Sequence, residues 1–213
     1  MIYKDVTDAF EFLYNKIDKQ VEGPNGTKAI YNECFTIKDT SKLVVETPER
    51  KFKTTYAEQE WIWYLSGNRN AEEIAKHAKI WYNHMDENGN VNSNYGWQWW
   101  RNDQYRYVVE QLKYNRFTRR AVITIYDGKE WEQYEKDTPC TLAIQFYCKD
   151  DPRVIHMSVI MRSNDLWFGF CNDAYCFMKL HQSICADLNA IQGEYTHFAQ
   201  NLHLYPRHYG KNI

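Results

Sequence analysis

Cys140 follows Pro139 at the head of a strand-like run, where a chain entering a sheet can present its side chain at an edge or cleft. A thiol in that position is either a small buried hydrophobe, the commoner fate of a free cysteine, or a nucleophile, and a nucleophile needs a cationic neighbour. Arginines are the obvious candidates: Arg119 and Arg120 are adjacent, and Arg162-Ser163 follows a later strand-like run. The same groups suit a phosphate, with surface ion pairs as the other reading. Consecutive side chains of a regular strand point to opposite faces, so Arg119 and Arg120 share one phosphate only from an irregular or terminal segment.

Three further positions carry titratable groups in telling surroundings. Glu60 lies in a helical run among Trp61, Trp63 and Tyr64. It is either on the exposed side or held in an apolar site with a raised pKa, as a general acid or base requires, and periodicity placing Tyr56, Trp63 and Tyr64 on its face favours the second. Asp173 heads a long helical run, as an N-cap or as a functional carboxylate. His203 and Tyr205 alternate along the last strand and so share a face, either reaching one ligand hydroxyl or packing a strand end.

These residues need positioning elements. Val6, Phe10, Leu13 and Ile17 recur at helical spacing, and Asn25-Gly26 precede a strand over Lys28 to Ile37. Helices are expected over Thr54 to Leu65, closed by Gly67, over Ala71 to Trp81, and from about Asp103 to Tyr114. Strands follow at Arg120 to Tyr126, Cys140 to Cys148 and Val154 to Met161, then a buried helix over Asp173 to Leu188 and a final strand near Tyr195 to Tyr205. The mixed order predicts an α+β fold in a single domain, 1–213.

Composition narrows the chemistry. A net charge of -2 over 213 residues gives no global basic field for a nucleic-acid backbone, although a small anion can bind where arginines converge. The six cysteines show no CxxC pair, zinc spacing or disulfide framework, so they read as reduced thiols of a cytoplasmic protein; no metal is expected. Lys4, Asp5 and Asp8 break any signal-peptide core, and no apolar run approaches bilayer length, so no membrane partner is expected. No GxGxxG, P-loop, HExxH or GxSxG motif is present.

In order along the chain, Glu60-Trp-Ile-Trp-Tyr-Leu-Ser-Gly67, Asn92-Ser-Asn-Tyr-Gly-Trp97, Arg119-Arg120, Pro139-Cys140, Met161-Arg-Ser-Asn-Asp-Leu-Trp-Phe-Gly-Phe170 with Asn172-Asp173, and His203-Leu-Tyr205 resemble thymidylate synthases. They resemble more closely the bacteriophage deoxycytidylate hydroxymethylases of that superfamily. The resemblance implies a twisted mixed sheet with helices on one side, its other face forming a homodimer. It implies that Cys140 adds to C6 of a pyrimidine nucleotide so that C5 takes the one-carbon unit of 5,10-methylenetetrahydrofolate. Arg162, Ser163 and Asn164 would then hold the nucleotide, with Arg119 and Arg120 reaching in from the partner. His203 and Tyr205 would hold the sugar hydroxyl, Glu60 would move protons, Tyr95 would line the site, and Trp81, Asp165 and Gly169 would contact folate.

The resemblance implies that Asp173 occupies the base-reading position, where thymidylate synthases have Asn. A protonated carboxyl, or a carboxylate facing N3-H, matches cytosine, which offers an amino donor and an unprotonated N3. The expected substrate is therefore dCMP, with CMP or dUMP as alternatives, and the expected product is hydroxymethylated. Thymidylate synthesis, a reductive cytidylate methylation, and a catalytically silent nucleotide- or RNA-binding relative are the competing readings. Two departures stand out. Thymidylate synthases close a tail over the folate whereas this sequence runs to Ile213, an expectation of poor water exclusion compatible with water capturing the methylene. Their N-terminal phosphate arginine is replaced by Gly23-Pro-Asn-Gly-Thr-Lys28, in which Lys28 would serve as a point charge.

Overall fold

A computed structural model describes residues 1–213, with Trp131 described by its backbone alone. Helix α1 (Val6–Asp18) starts where the Asp5 carboxylate accepts the Thr7 and Asp8 amides, and it buries the stripe Val6, Ala9, Phe10, Leu13, Tyr14 and Ile17. Helix α2 (Thr54–Ser66) stops at Gly67, whose φ of 62° is the left-handed cap that glycine adopts without strain. The remaining helices are α3 (Glu72–Ala75), α4 (Tyr95–Trp100), α5 (Gln104–Tyr114) and α6 (Cys171–Asp187).

Seven strands form one mixed sheet: β1 (Ile2–Tyr3), β2 (Lys28–Ile37), β3 (Val122–Thr124), β4 (Thr141–Tyr147), β5 (Val154–Met161), β6 (Asn164–Asp165) and β7 (Ile191–Leu204). Their order is β1-β2-β7-β5-β4-β3, with β6 pairing off β7. Strand β7 runs antiparallel to β2 and parallel to β5, and β4 runs antiparallel to β5. This is the α+β architecture expected from the sequence.

Alternation divides the sheet into two unlike faces. Phe35, Ile37, Ile123, Ile144, Phe146, Ile155, Met157, Val159, Tyr195 and Ala199 are buried on the face that α1, α4, α5 and α6 cover. The opposite face carries a row of four residues in register, Ala143, Ile160, Phe198 and Cys34, beside the more polar row Gln145, Ser158, Thr196 and Thr36. Ile160 is 42% exposed there.

Several elements differ from expectation. The helix expected over Ala71 to Trp81 breaks at Ala78, which is extended (φ -144°, ψ 102°), into α3 and a 3-10 turn over Lys79–Asn83. The break accompanies burial of Trp81 edge-on to Trp63. The strand expected from Arg120 to Tyr126 is shorter, leaving Arg119 and Arg120 on the irregular segment before β3. Asp173 is not an N-cap. A π-helical turn over Leu166–Phe170 runs into α6, and Asp165 caps that turn by accepting the Trp167 and Phe168 amides. The whole element therefore begins earlier, and Asp173 lies inside it. Helix α4 escaped the sequence pattern. It packs on α2 only because residue 96 is glycine: a Cβ there would lie 1.8 Å from the Tyr64 carbonyl oxygen.

Candidate active site

The packing of α4 on α2 brings Tyr95 to within 5.8 Å of Tyr64, ring to ring, and stacks it at 5.5 Å on Phe177 of α6. Against this wall lies Glu60, 5% exposed. Its Oε1 accepts from Tyr56 at 3.0 Å and from Tyr64 at 3.4 Å, and Trp81 Nε1 donates in turn to the Tyr56 hydroxyl at 3.0 Å. Tyr56 and Tyr64 sit one helical turn to either side of Glu60, the face that periodicity indicated. Glu60 Oε2 is buried without a partner. Burial pushes this carboxyl up to about 7 despite the two tyrosine hydrogen bonds, which act in the other direction. It is thus poised to take or release a proton near neutrality.

Asp173 projects from α6 toward the same region. Burial, with the nearby Glu60 carboxylate, raises its pKa well above the usual carboxylate range, while a 2.8 Å hydrogen bond from Asn164 Nδ2 to Oδ2 opposes the rise. Two acids near each other in a dry site cannot readily both ionise.

Cys140 is half-buried just before β4. Its backbone carbonyl accepts the Arg162 amide at 2.8 Å, and the guanidinium of Arg162 turns back over the same loop. Nε donates to the Pro139 carbonyl at 3.0 Å, Nη2 donates to the Thr138 carbonyl at 2.8 Å, and the Cys140 sulfur lies 3.7 Å from Nη2. Burial nonetheless pushes the thiol up to about 11; Arg162 lowers it, and Asp173 and Asp137 raise it further. One arginine is too little to hold a thiolate in this single chain.

A cavity of about 310 Å³ opens between the last strand and the loop before β2, lined by Asn25, Thr27, Ser163, Asn201, His203 and Tyr205. His203 Nδ1 donates to Asn201 Oδ1 at 2.9 Å, which leaves Nε2 as an acceptor in the neutral ring. Burial holds His203 below its ordinary pKa. The structure does not bring Lys28 here. Its ammonium is hydrogen-bonded to the Asp18 carboxylate and carbonyl and sits over the Tyr209 ring, so the loop faces the cavity through Asn25 and Thr27 instead. A larger hollow of about 400 Å³ is lined by Asp86, Glu87, Glu132, Glu135 and Asp137 among others; neither Cys140 nor Asp173 lines it, and its acids suit no phosphate.

Arg119 and Arg120 are exposed at the edge strand of the sheet, and among the described residues neither forms an ion pair. Trp81 is buried, and both carboxylate oxygens of Asp165 are engaged by backbone amides. Gly169 lies against Asn164: a Cβ there would come within 3.0 Å of the Asn164 amide nitrogen and 3.6 Å of Asp173 Oδ2. Two groups escaped the sequence reading. Asn201 is legible in retrospect, two residues before His203 on one strand face. Arg50 is 5% exposed, lies 5.0 Å from the Phe168 ring centroid, and among the described residues has no acidic partner; only its burial marks it as a candidate anion ligand.

The family model described as Thymidylate synthase matches residues 15–212, nearly the whole chain. The chain belongs to the thymidylate synthase family. Among its relatives, the deoxycytidylate 5-hydroxymethyltransferase of Enterobacteria phage T4 is 32% identical over 170 residues, covering 72% of this chain and 68% of that protein. The deoxyuridylate hydroxymethyltransferase of Pseudomonas phage M6 is 30% identical over 162 residues, covering 74% of this chain and 46% of that one. Thymidylate synthase 1 of Bacillus subtilis (strain 168) is 26% identical over 194 residues, covering 87% and 68%. Thymidylate synthase family membership and these relatives mark the chain as an enzyme of pyrimidine one-carbon transfer.

Proposed function

We infer that the protein is a deoxycytidylate 5-hydroxymethyltransferase, transferring the one-carbon unit of 5,10-methylenetetrahydrofolate to C5 of dCMP. The observation that carries the choice of base is Asp173: a carboxyl, not an amide, at the base-reading position, in surroundings that keep its proton. Protonated, it donates from its hydroxyl oxygen to N3 of cytosine and accepts from the amino group at its other oxygen; with the proton held on that hydroxyl oxygen, the N3-H and carbonyl of uracil mismatch both.

The Cys140 sulfur adds to C6, opening the C5–C6 double bond and making C5 carbanion-like, while the Asp173 proton passes to N3 so that charge does not build up on the ring. Arg162 holds the nucleophile's loop, and with Ser163 and Asn164 it faces the nucleotide. His203 Nε2 and the Tyr205 hydroxyl hold the sugar. Bound methylenetetrahydrofolate supplies carbon at the oxidation level of formaldehyde. The unpartnered Oε2 of Glu60, beside the wall formed by Tyr56 and Trp81, fits a flat heterocycle that exchanges protons, and the family resemblance adds Asp165 and Gly169 to the folate contacts. Glu60 removes the C5 proton as tetrahydrofolate departs as the free amine, and positions water to add to the exocyclic methylene of the nucleotide; that addition re-forms the C5–C6 double bond and expels the Cys140 sulfur from C6.

The thiol's high pKa in one chain supports an obligate homodimer. The open sheet face, with its row Ala143, Ile160, Phe198 and Cys34, offers the contact surface. A partner's Arg119 and Arg120 would then bring two more cations to the phosphate and the sulfur. No nucleic acid or membrane takes part in this reading: net charge is -2, and no helix among the described residues is long and apolar enough to cross a membrane. The relatives from phages support a place in a host cytoplasm. Incubating dCMP, CMP and dUMP separately with methylenetetrahydrofolate and weighing the products tests the proposal: dCMP gains a hydroxymethyl group. A methyl product, or faster turnover of dUMP, overturns it.

A further inference from the structure

We propose that Asn164 is the positioning residue that fixes the proton of Asp173 on one carboxyl oxygen and so sets the preference for cytosine, an inference that rests on the dCMP reading above. Asn164 is 3% exposed, and its Nδ2 donates to Asp173 Oδ2 at 2.8 Å. An oxygen that accepts this hydrogen bond is the carbonyl-like one, because a carboxylic hydroxyl oxygen is the poorer acceptor; the proton therefore resides on Oδ1. Oδ2 keeps a second lone pair for the amino group of cytosine, and Oδ1–H meets N3.

A second observation separates this role from packing. Asn164 Oδ1 is buried without a partner, an arrangement that costs stability and that a smaller or apolar residue would avoid. The amide is thus retained for its donor. Gly169 leaves it no slack, since a Cβ there would lie 3.0 Å from the same Nδ2.

The groups facing Asp173 frame the pH dependence. Glu60 and Tyr64 reach it from α2, Tyr95 from α4, Cys140 from the loop before β4, Asp165 from β6, Tyr195 from β7, and Cys171 and Cys176 from its own helix. Arg162 lies one residue beyond the Asp173 shell, at the sulfur of Cys140. Among the neighbours named, Asn164 alone donates a hydrogen bond to Asp173, so its loss raises the carboxyl's pKa further.

The test is the pH profile of kcat/KM for tritium release from C5 of dCMP, in wild type, Asn164→Ala, Asn164→Asp, Asp173→Asn and the Asn164→Ala/Asp173→Asn pair, with folding checked by thermal melting. Asn164→Ala is expected to lower the optimum roughly ten- to a hundredfold and to move the alkaline limb to higher pH. Asn164→Asp keeps the shape and places a second acid beside Asp173, so it moves the limb the same way even if the alanine variant does not fold. In the Asp173→Asn background the alanine change has no further effect on base preference. An unmoved limb in both Asn164 variants, or effects that add independently to those of Asp173→Asn, overturns the inference. Unchanged dCMP preference in Asp173→Asn alone sinks the underlying reading of the base, a separate result.

Discussion

The buried region around Glu60 and Asp173 and the exposed surface that carries Arg119 and Arg120 are built on opposite principles. In the buried region, Glu60 is 5% exposed with one oxygen unpartnered, Asp173 is pushed well above the carboxylate range, and Tyr56, Tyr64 and Tyr95 stand nearby. On the outer surface, Arg119 and Arg120 stand in water before the edge strand with, among the described residues, no ion pair, and the cavity around Ser163, His203 and Tyr205 is open. Dry surroundings raise the carboxyls above their ordinary range, whereas the exposed guanidinium groups offer planar, multidentate donors to an anion arriving from solvent. Cys140 sits at the junction, its sulfur desolvated like the acids but 3.7 Å from an arginine.

Breaking the buried region has the largest expected effect. Glu60→Gln removes a proton carrier and should lower kcat by about 10²- to 10⁴-fold, abolishing the limb of the pH profile near 7. The same change should stabilise the fold with a definite sign. A carboxyl whose folded pKa is about 7 against an ordinary 4.5 loses the folded state stability as pH rises from about 4.5 to 7. The variant should therefore melt like the wild type at pH 4 and be more stable at pH 8, by on the order of 3 kcal/mol. Asp173→Asn comes next: a shift of roughly ten- to a hundredfold in the kcat/KM ratio from dCMP toward dUMP, read by competing the two substrates.

The exposed surface responds more gently and depends on salt. Arg119→Ala/Arg120→Ala should raise KM for the nucleotide, by a factor that shrinks as ionic strength rises. Mixing that variant with Cys140→Ser chains should restore turnover if the arginines serve the partner's sulfur; two inactive proteins giving an inactive mixture would contradict the shared site. Smallest of all is Lys28→Ala. Its ion pair with Asp18 is part-exposed, so about 0–1 kcal/mol of stability and no change in nucleotide KM are expected.

The sequence disclosed local relations better than distant ones. Tyr56 and Tyr64 around Glu60 follow from helical period, and the boundaries of β2 and β5 match their apolar patterns. Lys28 was misplaced because proximity to a glycine-bearing loop says nothing about which side of the strand its ammonium takes, and Asp18 claims it. Asp173 reads as a cap until the π-helical turn is seen, and no local pattern in Leu166–Phe170 announces that turn. The break at Ala78 follows from burial of Trp81 against α2, a tertiary demand. The pairing of Cys140 with Arg162 arises from adjacent strands; the sequence offers Arg162 as one of three candidate cations, and only the register of β4 on β5 selects it.

The account turns on the sulfur of Cys140 joining C6 of the base. Release of tritium from C5 of dCMP in the presence of methylenetetrahydrofolate tests it most directly. Wild type is expected to release the label, and Cys140→Ser to be slower by on the order of 10⁴-fold or more. Release at comparable rates by the serine variant, or none from either protein, would contradict the account.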